Sequence, residues 1–126
     1  MLWRGNCLVI EDDADVGELL KGILAQAGFD VHLETTAAAA LVAASAVDFA
    51  LITLDLGLPD IDGTEVARLL REHSDAPILI ITARTTMNAE AGNTSLAQTY
   101  LFKPFLPTNL RDIVDQLLPP GGRPPA

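Results

Sequence analysis

Phe49-Ala50-Leu51-Ile52-Thr53-Leu54-Asp55-Leu56-Gly57-Leu58-Pro59-Asp60-Ile61-Asp62-Gly63 is the stretch that decides the fold of this chain. From Phe49 to Asp55 an apolar run, too short to span a membrane, ends on a carboxylate. Such a segment suits a strand covered on both faces, as in a parallel sheet. Leu56 to Gly63 then brings a proline, two glycines and two aspartates, a composition that turns the chain before a helix begins. Asp55 therefore belongs at the C-terminal end of a buried strand, where open α/β sheets place their ligands.

A lone Asp at a strand end often only caps or turns the next segment. Three further stretches single this one out. Leu8-Val9-Ile10-Glu11-Asp12-Asp13 is a second apolar strand ending in acids, Ile78-Leu79-Ile80-Ile81-Thr82 a third ending in a hydroxyl, and Tyr100-Leu101-Phe102-Lys103-Pro104 a fourth ending in a lysine. As parallel neighbours, these strands would bring Glu11, Asp12, Asp55, Thr82 and Lys103 to one edge of the sheet.

Composition narrows the setting. A chain of 126 residues fits one domain with a real core. Although 49% of residues are hydrophobic, no run approaches the ~18 that a transmembrane helix needs. Met1 to Asn6 contains Arg4 but lacks the apolar run of a secretory signal. The single cysteine, Cys7, excludes an internal disulfide and fits a reducing, cytoplasmic setting. Its place in the first strand reads as a buried, inert thiol. The formal charge is -9, and the eight basic residues are scattered from Arg4 to Arg123. No clustered basic face exists for phosphate backbones, so direct nucleic-acid binding by this segment is not expected. Most of the acidity reads as solubility.

In chain order, the first strand, about Asn6 to Ile10, leads into a helix marked by Val16, Leu19, Leu20, Ile23, Leu24 and Ala27, and Gly28 stops it where a left-handed residue is favoured. Asp30 to Glu34 is short and mixed, an edge strand. The alanine-rich segment from Thr36 to Ala46 is a helix of high propensity with a small-residue packing face. Asp62 and Glu65 have capping-box spacing at the start of the next helix, whose buried stripe is Val66, Leu69 and Leu70. His73 near its end suits the helix dipole, and His32 on the edge strand is equally structural in this reading. Ala83 to Thr99 is the least regular part; a short helix within Met87 to Leu96 is interrupted by Gly92, Asn93, Thr94 and Ser95. After the Tyr100 strand, a helix from about Pro107 carries Leu110, Ile113, Val114 and Leu117 on one stripe. The Pro/Gly-rich residues 119–126 read as a tail or linker after a domain spanning 1–118. Strands alternating with helices through short loops predict a doubly wound five-stranded parallel sheet, flavodoxin-like (βα)5, in the order 2-1-3-4-5.

Three acids, a hydroxyl and a lysine in one crevice imply a specific chemistry. Clustered carboxylates repel one another, and a hard divalent cation is the least costly way to keep them ionised. Mg²⁺, with Mn²⁺ as a substitute, prefers oxygen ligands and keeps coordination positions for a phosphoryl group. The lysine and hydroxyl suit the remaining phosphoryl oxygens, and an ionised Asp55 beside the metal could act as nucleophile, giving an aspartyl phosphate.

At this point the chain resembles the receiver domains of bacterial two-component response regulators. Val9-Ile10-Glu11-Asp12-Asp13, Leu54-Asp55-Leu56-Gly57-Leu58-Pro59-Asp60-Ile61-Asp62-Gly63, Ile81-Thr82-Ala83-Arg84 and Tyr100-Leu101-Phe102-Lys103-Pro104-Phe105 stand in the family's order, and the likeness runs from Leu8 to about Leu118. The resemblance implies that Asp55 is the phosphoacceptor, supplied by a histidine of a sensor kinase or phosphotransfer protein. It implies that Asp12 binds Mg²⁺ directly and Glu11 through water, with Asp55 and the Gly57 backbone carbonyl completing the protein ligands, while Asp13 caps the first helix. Thr82 and Lys103 would contact phosphoryl oxygens, Thr82 and Tyr100 would form the switch, and the Lys103-Pro104 bond would be cis. Gly57 and Arg84 would lie near enough to the phosphoryl group to tune its lifetime.

Each role has a plainer alternative: Tyr100 as a half-buried strand aromatic, Thr82 as a strand-end cap, Lys103 as a structural ion pair. Two places depart from the family pattern. Leu96-Ala97-Gln98-Thr99 stands where Gly-Ala-Asp-Asp is frequent, and Ile113 stands where the winged-helix transcription factors carry a dimer-forming arginine. Their symmetric homodimer is therefore not assumed. The implied partners are the kinase and an output domain or effector, the output extending to a DNA-binding domain outside this segment. The chain is expected to be a signalling phosphoacceptor, limited to self-phosphorylation from small donors and self-dephosphorylation. Two other readings compete: a non-phosphorylated interaction module on the same fold, and a Mg²⁺-dependent phosphohydrolase. The second would need Asp-x-Asp where the chain has Asp55 and Gly57. A flavodoxin is disfavoured because acids follow the first strand where a flavin phosphate needs a cradle.

Overall fold

The computed structural model describes residues 3–83 and 99–119. Its elements are β1 (Gly5–Ile10), α1 (Ala14–Gln26), β2 (Phe29–Glu34), α2 (Ala37–Ala46), β3 (Leu51–Leu54), α3 (Gly63–Leu70), β4 (Ile78–Ala83), β5 (Thr99–Lys103) and α4 (Pro107–Leu117). All neighbouring strands pair parallel, in the order β2-β1-β3-β4-β5. This is the expected doubly wound, flavodoxin-like sheet. The expected helix within Met87 to Leu96, and Arg84, lie outside the described residues, as does the tail from residue 120.

Alternation along the strands divides the core in two. Leu8, Ile10, Ile52, Leu54, Ile78 and Ile80 face Ala37, Ala40 and Ala44 of α2 and Val66, Ala67 and Leu70 of α3. Cys7, Val9, Leu51, Leu79, Ile81 and Leu101 face Leu20 and Leu24 of α1 and Leu110 and Val114 of α4. The central strands are apolar on both faces because both are covered, as a parallel sheet requires. Ile113, where a dimer-forming arginine would be expected, packs partly buried into the α1–α4 layer. Edge strand β2 is buried only at Phe29.

Two boundaries differ from the sequence reading. The regular part of β3 is Leu51–Leu54, shorter than Phe49 to Asp55. Ladder bonds nevertheless continue past both ends, from Ala50 N to the Asn6 carbonyl (2.8 Å) and from Asp55 N to the Ile10 carbonyl (3.1 Å). Asp55 is thus paired through its amide while its side chain is drawn into the turn by Gly57. The predicted capping box at α3 is half formed. Asp62 accepts from Thr64 N at 2.8 Å, but Glu65 is drawn away by two contacts to the Arg68 guanidinium, at 2.8 and 2.6 Å. A charged fork three residues on outcompetes a neutral backbone amide.

Other termini follow their sequence signals. Asp13 caps α1 by accepting from Asp15 N and Val16 N, and Gly28 follows it at φ 111°, a left-handed backbone that glycine adopts without a Cβ penalty. Arg4 ties the start of β1 to the end of α4. Its guanidinium lies 4.9 Å from the Phe29 ring centroid, donates to Asp115 Oδ1 at 3.0 Å, and also reaches the carbonyls of Ala27 and Leu118. His32 approaches Asn6 Oδ1 at 3.3 Å and packs edge-on to Phe49. Among the described residues no helix is long and apolar enough to cross a membrane.

Candidate functional site

Parallel pairing places all five C-terminal strand ends on one edge, and the polar residues of the apolar strands meet there. Glu11 and Asp12 leave β1, Asp55 leaves β3, Thr82 is near the end of β4, and Lys103 ends β5. Glu11 is only 1% exposed, Asp55 7% and Thr82 0%; Asp12 is exposed.

Both oxygens of Asp55 are engaged. Its Oδ1 accepts from Thr82 Oγ1 at 3.1 Å and from the Gly57 amide at 3.0 Å. Its Oδ2 accepts from Lys103 Nζ at 3.1 Å. The same ammonium lies 2.8 Å from Glu11 Oε1, and Glu11 Oε2 accepts from Asp13 N at 3.2 Å. The Lys103–Pro104 peptide bond is cis. Tyr100 is half-buried and packs against the α2–α3 layer.

The loop from Leu56 to Asp62 returns tightly on itself. A Cβ on Gly63 would lie 2.5 Å from Leu56 Cα, so only glycine fits this start of α3. Gly57 is more open, since a Cβ there would meet Asp55 Oδ1 at 3.6 Å, an ordinary contact.

Electrostatics sort the two buried acids. Burial pushes the Glu11 carboxyl up to about 7; Lys103 opposes the rise and Asp55 adds to it. Burial raises Asp55 too, but the Gly57 amide, the hydrogen bond with Glu11 and the Lys103 ammonium outweigh it, leaving Asp55 below the usual carboxylate range. Lys103 is held up by Glu11 and Asp55 against its own desolvation. Asp55 is therefore the more acidic of the two buried carboxyls.

One carboxylate oxygen each from Glu11, Asp12 and Asp55 lies within 4.8 Å of the others. A six-coordinate ion with oxygen ligands at about 2.0–2.1 Å sets those ligands about 3–4.2 Å apart, so side-chain adjustments of under an ångström, or a water between the ion and Glu11, would bring this set to its shell. The donors are all oxygen, which suits Mg²⁺ or Mn²⁺ rather than a thiophilic metal. Three acids face one lysine, so a cation also answers the surplus negative charge. The residues fit the ion that the sequence implied.

Glu11, Asp12, Asp55, Gly57, Thr82 and Lys103 are thus brought together. Tyr100 lies one register position from Leu101 on β5, with its ring on the opposite face from Lys103. What the sequence did not disclose is that Gly57 engages Asp55 through its amide, and that Asp60 reaches α2. A hydrogen bond between residues 23 apart leaves no periodic trace.

The family model described as response regulator receiver domain matches residues 7–115. DNA-binding response regulator MtrA of Mycolicibacterium paratuberculosis is 39% identical over 108 residues, covering 85% of this chain and 48% of that protein. Transcriptional regulatory protein SrrA of Staphylococcus aureus is 38% identical over 101 residues, covering 79% of this chain and 42% of that protein. The chain thus spans about half the length of these relatives. A two-component response regulator of Clostridium difficile has a similar structure, with a TM-score of 0.80 at 27% identity over 90% of this chain and 95% of that one. The CheY-like receiver domain of Methylobacillus flagellatus shares the fold, with a TM-score of 0.80 at 24% identity, covering 91% of this chain and 98% of that one.

Proposed function

Since this chain belongs to the response regulator receiver domain family, we propose that it is a phosphoacceptor of two-component signal transduction, with Asp55 as the residue modified. The observation that carries the reading is the setting of Asp55: held below the usual carboxylate range, engaged at both oxygens, and grouped with Glu11, Asp12, Thr82 and Lys103 at the strand ends.

Asp55 attacks the phosphorus of a phosphohistidine on a sensor kinase or phosphotransfer protein. The new O–P bond forms as the P–N bond breaks, and the leaving imidazole keeps the electron pair and takes up a proton. Glu11, Asp12, Asp55 and the Gly57 carbonyl would hold Mg²⁺, which when bound neutralises charge on the phosphoryl oxygens and on the three carboxylates. Lys103 and Thr82 already donate to Asp55, so on transfer they pass to the phosphoryl oxygens a short distance further out. Water attack on the acyl phosphate later returns the carboxylate and releases phosphate. Gly57, with no side chain over Asp55, sets how readily water enters; Arg84, outside the described residues, is kept as the second lifetime-tuning candidate from the sequence.

Movement of the Thr82 hydroxyl toward the phosphoryl group is coupled to Tyr100 turning inward on the adjacent strand. The surface of β4, β5 and α4 then shifts between two populations, the form that signalling by a covalent charge takes. Residues 1–118 are the receiver in this reading, and 119–126 are a tail or a linker to an output domain. Relatives named as DNA-binding and transcriptional regulators favour a DNA-binding output.

The deciding experiment is the intact mass of the chain after incubation with Mg²⁺ and acetyl phosphate. One added phosphoryl group is expected, absent from Asp55→Asn and from a chelated sample. No adduct, together with no change at Tyr100 on adding beryllofluoride, would replace the acceptor with a non-phosphorylated interaction module.

A further inference from the structure

Helix α2 carries no acidic residue in its first turn, yet its leading amides have partners. Thr36 Oγ1 accepts from Ala39 N at 3.2 Å. Asp60 supplies two more acceptors from elsewhere in the chain: its Oδ1 accepts from Ala37 N at 3.0 Å and its Oδ2 from Ala38 N at 3.1 Å. A carboxylate astride two successive helix-start amides satisfies orphan donors and complements the positive end of the helix dipole. The Ala37 amide foremost holds the Asp60 carboxyl below its ordinary range.

Asp60 stands in the loop that follows Asp55. That loop is fixed at its start by the Gly57 amide on Asp55 Oδ1 (3.0 Å) and at its end by Asp62 capping α3. Buried Leu58 anchors its apolar side. Asp60 ties its polar side to a different element. Only Leu58 and Pro59 separate Gly57 from Asp60, and proline's fixed φ leaves the connection little slack.

We propose that Asp60 is a positioning residue for the acid pocket: strapping the loop to the start of α2, it fixes Gly57 beside Asp55 and so sets how tightly the pocket holds a divalent cation. The inference rests on the reading of Glu11, Asp12 and Asp55 as a Mg²⁺ pocket. Asp60 touches neither the cation nor the phosphoryl group; it acts through Gly57.

The test is a calorimetric Mg²⁺ titration of the full chain, with hydrogen exchange at the Gly57 amide followed by NMR in the metal-free protein. Asp60→Ala removes the strap and the charge, Asp60→Asn removes the charge but can still accept from one amide, and Thr36→Ala weakens the start of α2 without touching the loop. Asp60→Ala should weaken Mg²⁺ binding about tenfold, the low end for loss of an outer-shell partner, and speed exchange at Gly57. Asp60→Asn should fall between it and the wild type, and Thr36→Ala should lower thermal stability without changing affinity. Equal weakening in Asp60→Ala and Asp60→Asn would assign the effect to charge and overturn the strap, as would unchanged affinity in Asp60→Ala. Failure of the wild-type chain to bind Mg²⁺ would instead remove the pocket reading; the Gly57 amide would still decide the strap, which unchanged exchange in Asp60→Ala would overturn.

Discussion

Thr53→Val should make this protein more stable. Thr53 is 1% exposed at the middle of β3, in register with Val9 on one side and Leu79 on the other. Its Oγ1 has no hydrogen-bond partner among the described residues. A buried hydroxyl left unpaired forfeits its hydration, at a cost of about 1–3 kcal/mol. Valine keeps the β-branch that suits a strand and puts a methyl group in the same volume, among apolar neighbours. The gain should be about 1–2 kcal/mol, the lower half of that range because the pocket must accept a slightly larger group. For a domain of this size each kcal/mol moves the midpoint by roughly 3–5 °C, so the variant should melt about 3–10 °C higher. Circular dichroism during heating and urea titration measures this directly. Thr53→Ser keeps the hydroxyl and loses a methyl, so it should melt below the wild type. A Thr53→Val protein no more stable than the wild type would refute the reasoning and mean that the hydroxyl is satisfied in solution.

Four further outcomes are expected. Burial pushes the Cys7 thiol well above its ordinary value, so a thiol reagent should leave the native protein unmodified at pH 8 and label it fully in urea; rapid native labelling would contradict a closed α1–α4 layer. Gly63→Ala forces a Cβ against the Leu56 backbone and should cost about 1–3 kcal/mol or more, read as a lower urea midpoint, together with weaker Mg²⁺ binding as the loop moves. Without metal, stability should fall as pH rises from about 4.5, where Glu11 ionises in the unfolded chain, to about 7, where it ionises in the folded one. Because the native state holds that proton longer, the loss is complete above the upper value; Glu11→Gln should flatten this limb, and Mg²⁺ should restore stability most at alkaline pH. Arg4→Ala removes the donor to Asp115 and to the Ala27 and Leu118 carbonyls, and hydrogen exchange in the last turn of α4 should accelerate while exchange around Asp55 stays as it was.

Strand order and the assembly of the pocket were legible because both follow from repeated local signals. Apolar runs ending in Glu11, Asp55, Thr82 and Lys103 specify strands, and short connections between parallel strands leave few topologies. Contacts between distant, unremarkable residues were not legible. Arg4 looks like one of several scattered cations until Asp115 and Phe29 surround it. Asp60 looks like a turn former until it meets α2. Thr53 reads as a good strand residue, since its β-branch carries the signal and its unpaired hydroxyl does not. At α3 the spacing of Asp62 and Glu65 promised a reciprocal cap, but spacing cannot tell which of two partners a carboxylate prefers, and Arg68 won.

The partition of the core by the sheet has a consequence for how information leaves the pocket. Glu11, Asp55 and Lys103 continue the strand positions that look toward α1 and α4, whereas Thr82 continues the row that looks toward α2 and α3, where Tyr100 also packs. The sheet acts as a wall, and the pocket sits on its rim with one foot on either side. A charge that pulls on Lys103 tugs one room; a charge that pulls on Thr82 tugs the other. In the proposed switch the two rows would then be separable outlets from one pocket, and a substitution confined to one row should silence its outlet while leaving the other.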